Sequence, residues 1–222
     1  MSRIDRPSRT LTEEWLDEWS HGPGAPIRAT QAALGKAETA DAIIIVEGIS
    51  DQIAVETLAR RRGRDLESEG VAVLPVGGAQ AVARYLRRFG PHGDRRRLAG
   101  MCDADAAELI RRVLHRSGVG TPPTVEAMAG LGFHICTEDL EDELIRAVGP
   151  EDVERVLEAQ GELRSFHTFQ RQPEWRGRPM DAQLRRFLGA KAKRTLRYAR
   201  LLIEAVDLDA VPAPLDAVLD DV

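Results

Sequence analysis

Long apolar runs are missing from this chain of 222 residues. No stretch is long enough to cross a bilayer as a helix. The N-terminal MSRIDRPSRTLTEEW lacks the apolar core of a secretory signal, so the expected location is the cytoplasm, with no membrane partner. Cysteine is scarce as well. Cys102 and Cys136 each close a predicted strand and read as small buried side chains, since two residues make no disulfide framework and their spacing is not that of a zinc site. The histidines, His21, His92, His115, His134 and His167, are scattered without ligand spacing. His134 reads as a packed strand residue and His92, in GPHGD, as a surface one. No GxxxxGK[ST] occurs, which excludes a P-loop in these residues. Repeats and low-complexity tracts are likewise absent.

What is present is an alternation. Strand patterns at 42–46 (AIIIV), 71–76 (VAVLPV), 98–102 (LAGMC) and 132–136 (GFHIC) are separated by helical patterns at 50–62, 79–89 and 104–116. This order implies right-handed crossovers and an α/β fold with a mostly parallel, four-stranded central sheet flanked by helices. Next, TEDLEDELIRAVG reads as a helix with Thr137 as its cap, acids in its first turn and Gly149-Pro150 as its stop. A helix at 151–159, a loop QRQPEWRGRP anchored by Trp175, a long helix over Ala182–Val206 and an acidic, proline-punctuated tail complete a C-terminal helical extension. The expected organisation is an N-terminal helical arm over 1–40, with an amphipathic segment at Thr12–Trp19, an α/β core over 41–148 and a helical region over 149–222.

The net charge of −5 hides a segregation. Six arginines face one acid between Arg84 and Arg97, and ten Lys/Arg face two acids between Arg171 and Arg200. Basic stretches of this kind suit a phosphate backbone, although solvated helix faces also carry arginines.

The acids fall at strand ends. IIIVEGISD places Glu47 directly after the first strand and Asp51 one helical turn later, with Ser50 expected as that helix's cap. CDAD places Asp103 and Asp105 after the third strand, and Glu138, Asp139, Glu141 and Asp142 follow the fourth. Singly, Asp103 suits a helix cap and the last group a helix dipole. Together they share the carboxyl edge of the sheet, where open α/β folds bind ligands. Adjacent strands lie about 5 Å apart, so the carboxylates converge and repel unless a cation joins them. Mg²⁺ or Mn²⁺ suits an all-oxygen ligand set.

These residues resemble a family. A strand ending in VEG with an acid four positions after the Glu, a Gly-rich turn after the second strand (PVGGAQ, 75–80) and DAD after the third are similar to a Toprim domain, the catalytic module of topoisomerases, primases and several nucleases. The added DLEDEL (139–144) and a later basic helix with Lys191 and Lys193 are most similar to the overcoming-lysogenization-defect (OLD) nuclease branch, whose members usually carry an ABC-type ATPase ahead of the Toprim part. The resemblance runs from about Ala42 to Leu144 and implies a Toprim, Rossmann-like fold.

It also implies a metal-dependent endonuclease acting on DNA, with two Mg²⁺ or Mn²⁺ ions per site. Glu47, Asp51, Asp103, Asp105 and Glu141, with Asp139 as second choice to Glu141, would hold the metals. Lys193 or Lys191 would stabilise charge at the scissile phosphate. Gly77 and Gly78 match the family's turn, and Arg95, Arg96, Lys191, Lys193, Arg194 and Arg197 would engage the nucleic-acid backbone. With only about 40 residues before the first strand, the chain is expected to be free-standing or to work with a separate ATPase subunit, and a homodimer is compatible. Tyr85 and Tyr198 lie on predicted helices among apolar neighbours, so neither suits a topoisomerase nucleophile. Other readings stay open: a non-catalytic or regulatory nucleic-acid-binding subunit, a Toprim ribonuclease acting on RNA, or a primase-like nucleotidyl transferase.

Overall fold

The structure, a computed structural model describing residues 25–222, is built around β1 (Ala42–Val46). All five of its residues are buried, and four of them branch at Cβ, which suits a strand covered on both faces. β2 (Val71–Pro75), β3 (Arg97–Cys102) and β4 (Phe133–Ile135) complete a four-stranded sheet in the order β2-β1-β3-β4. Every pairing is parallel, with Ile45 opposite both Leu74 and Gly100, and Cys102 opposite Ile135. No helix among the described residues is long and apolar enough to cross a membrane.

Alternation along the strands divides the core into two. Ile43, Ile45, Ala72 and Leu74 pack with α1 (Ala25–Thr39), α3 (Val82–Phe89) and α4 (Ala107–Arg116). On the opposite face Ile44, Val46, Val71 and Val73 meet α2 (Ile49–Arg61), α5 (Leu140–Val148), α6 (Pro150–Ala159), α7 (Leu163–Gln170), α8 (Met180–Gly189), α9 (Ala192–Ala205) and α10 (Ala213–Asp220). Cys102 belongs to the first core and Cys136 to the second, so the two thiols lie on opposite faces and do not pair. The amphipathic segment expected at Thr12–Trp19 lies outside the described residues.

The four strands and the helices between them follow the apolar pattern closely. The C-terminal third departs from it. The single helix expected over Ala182–Val206 is two, because Lys191 is extended (φ −143°, ψ 126°) after Gly189, a residue of low helix propensity. Arg194 Nη1 and Thr195 Oγ1 donate to the carbonyls of Phe187 and Leu188, which stabilises the break. The loop after residue 159 contains α7, and Trp175 packs on Phe169 with ring centroids 5.1 Å apart. The acidic tail folds into the core: Leu215, Val218 and Leu219 of α10 are buried, and Asp221 Oδ2 lies 2.6 Å from His134 Nε2. The arginines at and just beyond the end of α2 hold these helix ends. Arg61 Nη1 donates to the Ile203 and Val206 carbonyls, Arg64 donates to those of Leu219 and Val222, and Arg62 pairs with Asp216. Guanidinium groups at helix C-termini satisfy carbonyls that lack helical partners.

Gly100 marks the closest approach in the sheet. A Cβ there would lie 2.7 Å from the Phe133 ring and 2.9 Å from the Ile45 carbonyl oxygen. Neither neighbour is the free end of a flexible chain. Gly100→Ala is therefore expected to destabilise the fold by about 1–3 kcal/mol, read as a lower urea midpoint at unchanged slope.

Candidate active site

The strand order reverses direction between β1 and β3, and the carboxyl edge at such a reversal is where open α/β sheets take their ligands. Glu47 leaves β1 at this point, and its Oε1 accepts the Asp103 amide at 3.0 Å. The chain after β2 closes over the same residue. The amides of Gly77 and Gly78 donate to the Glu47 carbonyl at 3.0 and 2.9 Å, with φ of +78° and +108° that side chains other than glycine rarely adopt. The Ala104 amide donates to the Glu138 carbonyl at 3.0 Å, which joins the end of β3 to the end of β4. All four strand ends are thus tied together, β1 to β3 through the Glu47 carboxylate and the other two pairs through backbone atoms.

Two expected caps fall elsewhere. α2 is capped by Gly48, whose amide donates to Asp51 Oδ2 at 2.7 Å, because the helix starts at Ile49 and Ser50 is already inside it. α5 is capped by Asp139, whose Oδ1 accepts the Asp142 amide at 2.8 Å, because Thr137 stands outside the first turn and its own amide donates to Glu143. Asp103 makes no side-chain cap; α4 begins only at Ala107.

The electrostatics gather the same acids. Asp51 is buried, and burial pushes its carboxyl well above the ordinary value of 3.8, with Asp103, Glu141 and Glu47 adding to the rise. Asp103 is pushed up to about 7, by burial first and then by Glu47, Asp139, Glu141 and Asp105. Glu47 is raised by burial and by Asp105, and Glu141 by burial and by Asp139. Glu47, Asp51, Asp103, Asp105 and Glu141 therefore share one field of like charge.

As placed, no three His, Cys, Asp or Glu side chains among the described residues are grouped to hold a metal ion. Several of these oxygens point to protein donors instead: Glu47 Oε1, Asp51 Oδ2 and both oxygens of Asp139. The donor set nonetheless fits Mg²⁺ or Mn²⁺. It is all oxygen, and the like-charge repulsion that adds to burial in raising these carboxyls is one that a dication relieves.

The basic residues divide. Arg185 on α8, which the sequence pattern did not single out, donates from Nε to Asp139 Oδ2 at 2.7 Å and lies 3.6 Å from Glu138 Oε2 through Nη1. Arg194 and Arg197 both pair with Glu162, and Arg194 stacks on Phe187 at 3.9 Å. Lys191 and Lys193 are exposed at the start of α9. Arg95 and Arg96 precede β3, at the amino edge of the sheet, and Arg96 pairs there with Asp41 and the Glu38 carbonyl. The six residues of β3 separate them from Asp103 by roughly 20 Å.

Residues 39–105 match the family model of the overcoming lysogenization defect protein-like Toprim domain. They form an OLD-like Toprim domain. The fold extends the likeness. The C-terminal region of the Xanthomonas campestris pv. campestris OLD protein superposes with a TM-score of 0.62 at 22% identity, covering 84% of this chain and 94% of that one. That of the Burkholderia pseudomallei OLD protein gives 0.59 at 20% identity, covering 82% and 96%. A comparison with curated proteins gives no match. The acids after β4, and Arg185, lie beyond the matched Toprim segment but within a chain whose architecture follows the OLD C-terminal regions over most of its length.

Asp51 has two opposed roles, capping α2 while carrying a buried charge. An asparagine keeps an oxygen for the Gly48 amide and removes the charge. Because burial raises this carboxyl in the native state, Asp51's own contribution to stability is greatest below about pH 4 and is lost as pH rises through the folded value. Asp51→Asn is expected to melt higher than wild type in EDTA at pH 8. The gap should close toward pH 4, as read from thermal unfolding at both values.

Proposed function

We propose that the protein is a metal-dependent nuclease that hydrolyses phosphodiester bonds of DNA at the carboxyl edge of its Toprim sheet. The observation that carries this reading is the convergence of Glu47, Asp51, Asp103, Asp105 and Glu141 on the β1/β3 carboxyl edge. In OLD proteins the Toprim domain is the nuclease domain, which supports the assignment.

Glu47, Asp51, Asp103, Asp105 and Glu141 would hold two Mg²⁺ or Mn²⁺ ions. Bound there, such ions supply an activated water and neutralise charge on the phosphate and the leaving oxygen. The protein's share is positioning. The Asp103 amide holds Glu47 in place, the Gly48 amide does the same for Asp51, and the Gly77–Gly78 turn leaves space where no Cβ intrudes. Lys191 and Lys193, exposed beside α8, extend contact with the nucleic-acid backbone.

A second reading is a nucleic-acid-binding subunit of a separate ATPase, without cleavage of its own. It is favoured by the acids' present placement, which groups no three ligands. Supercoiled plasmid incubated with the purified protein and Mg²⁺, Mn²⁺ or EDTA separates the two. Nicking that needs the metal and falls on the order of 100-fold or more in Glu47→Ala and Asp103→Ala is the expected result. Absence of cleavage, or cleavage that both variants retain, favours the binding subunit, and a parallel incubation with RNA decides the nucleic acid.

A further inference from the structure

Arg185 is a basic side chain that the fold delivers from a separate helix onto Asp139, among the acids at the end of β4. Its helix is held by Leu184, Phe187 and Leu188, all buried in the core beneath the sheet. From there Nε and Nη2 both donate to Asp139 Oδ2, at 2.7 and 2.6 Å. Asp139 cannot swing away, because its other oxygen accepts the Asp142 amide at the start of α5. A carboxylate gripped on both sides is a poor metal ligand and a good orienting group. The guanidinium has five N–H donors, and Asp139 occupies two of them. The remainder are on Nη1 and Nη2; Nη1 lies 3.6 Å from Glu138, beyond hydrogen-bond reach, and the side chain is 39% exposed. An oriented cation with free donors at the rim of an acidic site fits an anion that two or more of its N–H groups grip at once.

We infer that Arg185 contacts the scissile phosphate, or the one next to it, and that Asp139 is its positioning residue and not a metal ligand. The inference rests on the nuclease reading for its chemistry, but the contact itself is testable without cleavage. It reassigns a role that the family resemblance places on Lys191 or Lys193. Those two side chains stand exposed at the start of the next helix, with no ion pair to the acids; Arg185 is already seated among them.

The test uses the full chain in four forms: wild type, Arg185→Gln, Arg185→Lys and Asp139→Asn. If wild type cleaves plasmid, Arg185→Gln should lose on the order of 100-fold in kcat with a smaller change in KM. Arg185→Lys should recover part of that loss. Asp139→Asn should lose rate while binding Mn²⁺ as wild type does by calorimetry. A wild-type rate in Arg185→Gln, or a lysine variant no better than glutamine, overturns the inference for Arg185. Loss of Mn²⁺ affinity in Asp139→Asn overturns it for Asp139. If wild type does not cleave, a labelled DNA duplex titrated against salt gives the answer instead. Arg185→Gln should flatten the slope of log Kd against log salt by about one unit. An unchanged slope overturns the contact, whereas a flattened one upholds it although the nuclease reading has failed.

Discussion

Where β1 and β3 run side by side, the Asp103 amide donates to the Glu47 carboxylate, and the strands fold outward on either side of that bond, toward β2 and toward β4. This reversal sets the spacing of every acid that follows. Asp105 rides on the turn after Asp103, Asp51 on the helix after Glu47, and Glu141 on the helix that β4 feeds, itself tied to β3 by the Ala104 amide. The all-apolar β1, packed on both faces, is what keeps this junction from shifting. The two cores can differ widely in size and still meet at it.

The acids are held against their own repulsion. In a metal-free site only the Gly48 amide offsets the charge of Asp51, which is buried and close to three other carboxylates. Such a group resists ionisation, and the site resolves the conflict at low pH by keeping protons and at high pH by inviting a cation. The helix that Asp51 caps carries Ile53, Val55 and Leu58 into the core, so that cost is borne by apolar burial along the same element. Electrostatic strain and hydrophobic support therefore meet within two turns of one helix, at the position where the family resemblance expects function.

The sheet and its acids were legible because both are written in local pattern. A continuous apolar run and the acid that follows it, as after β1, β3 and β4, occupy a few consecutive residues, and parallel pairing then brings the ends together. The C-terminal third is not written that way. α10 sits in the core although its segment is acidic and broken by prolines, since only three of its side chains face inward and the arginines after α2 hold its far end. Arg185 and Arg186 are alike in sequence, and only the placement of α8 against α5 distinguishes the one that meets Asp139. Nor does pattern distinguish the two edges of a sheet: Arg95, Arg96 and Arg97 stand where β3 begins and fall at the amino edge, away from the acids.

Charge counted along a chain is not charge on its surface. The sequence has twenty-eight arginines and three lysines, and a large share of the arginines are spoken for. Arg61 and Arg64 close helix ends, Arg62, Arg88, Arg111, Arg146 and Arg155 face neighbouring acids, and Arg194 and Arg197 converge on Glu162. A basic stretch of this composition is therefore mostly internal stitching, strengthened by the guanidinium's ability to grip carbonyls and carboxylates with several donors. A polyanion reaching the acidic edge meets few uncommitted cations near it. Its docking must then depend on a small number of well-oriented contacts and on whatever cation the carboxylates recruit, since a net charge of −5 offers no long-range attraction. That makes the geometry of a single guanidinium beside the acids more consequential than the length of any basic run.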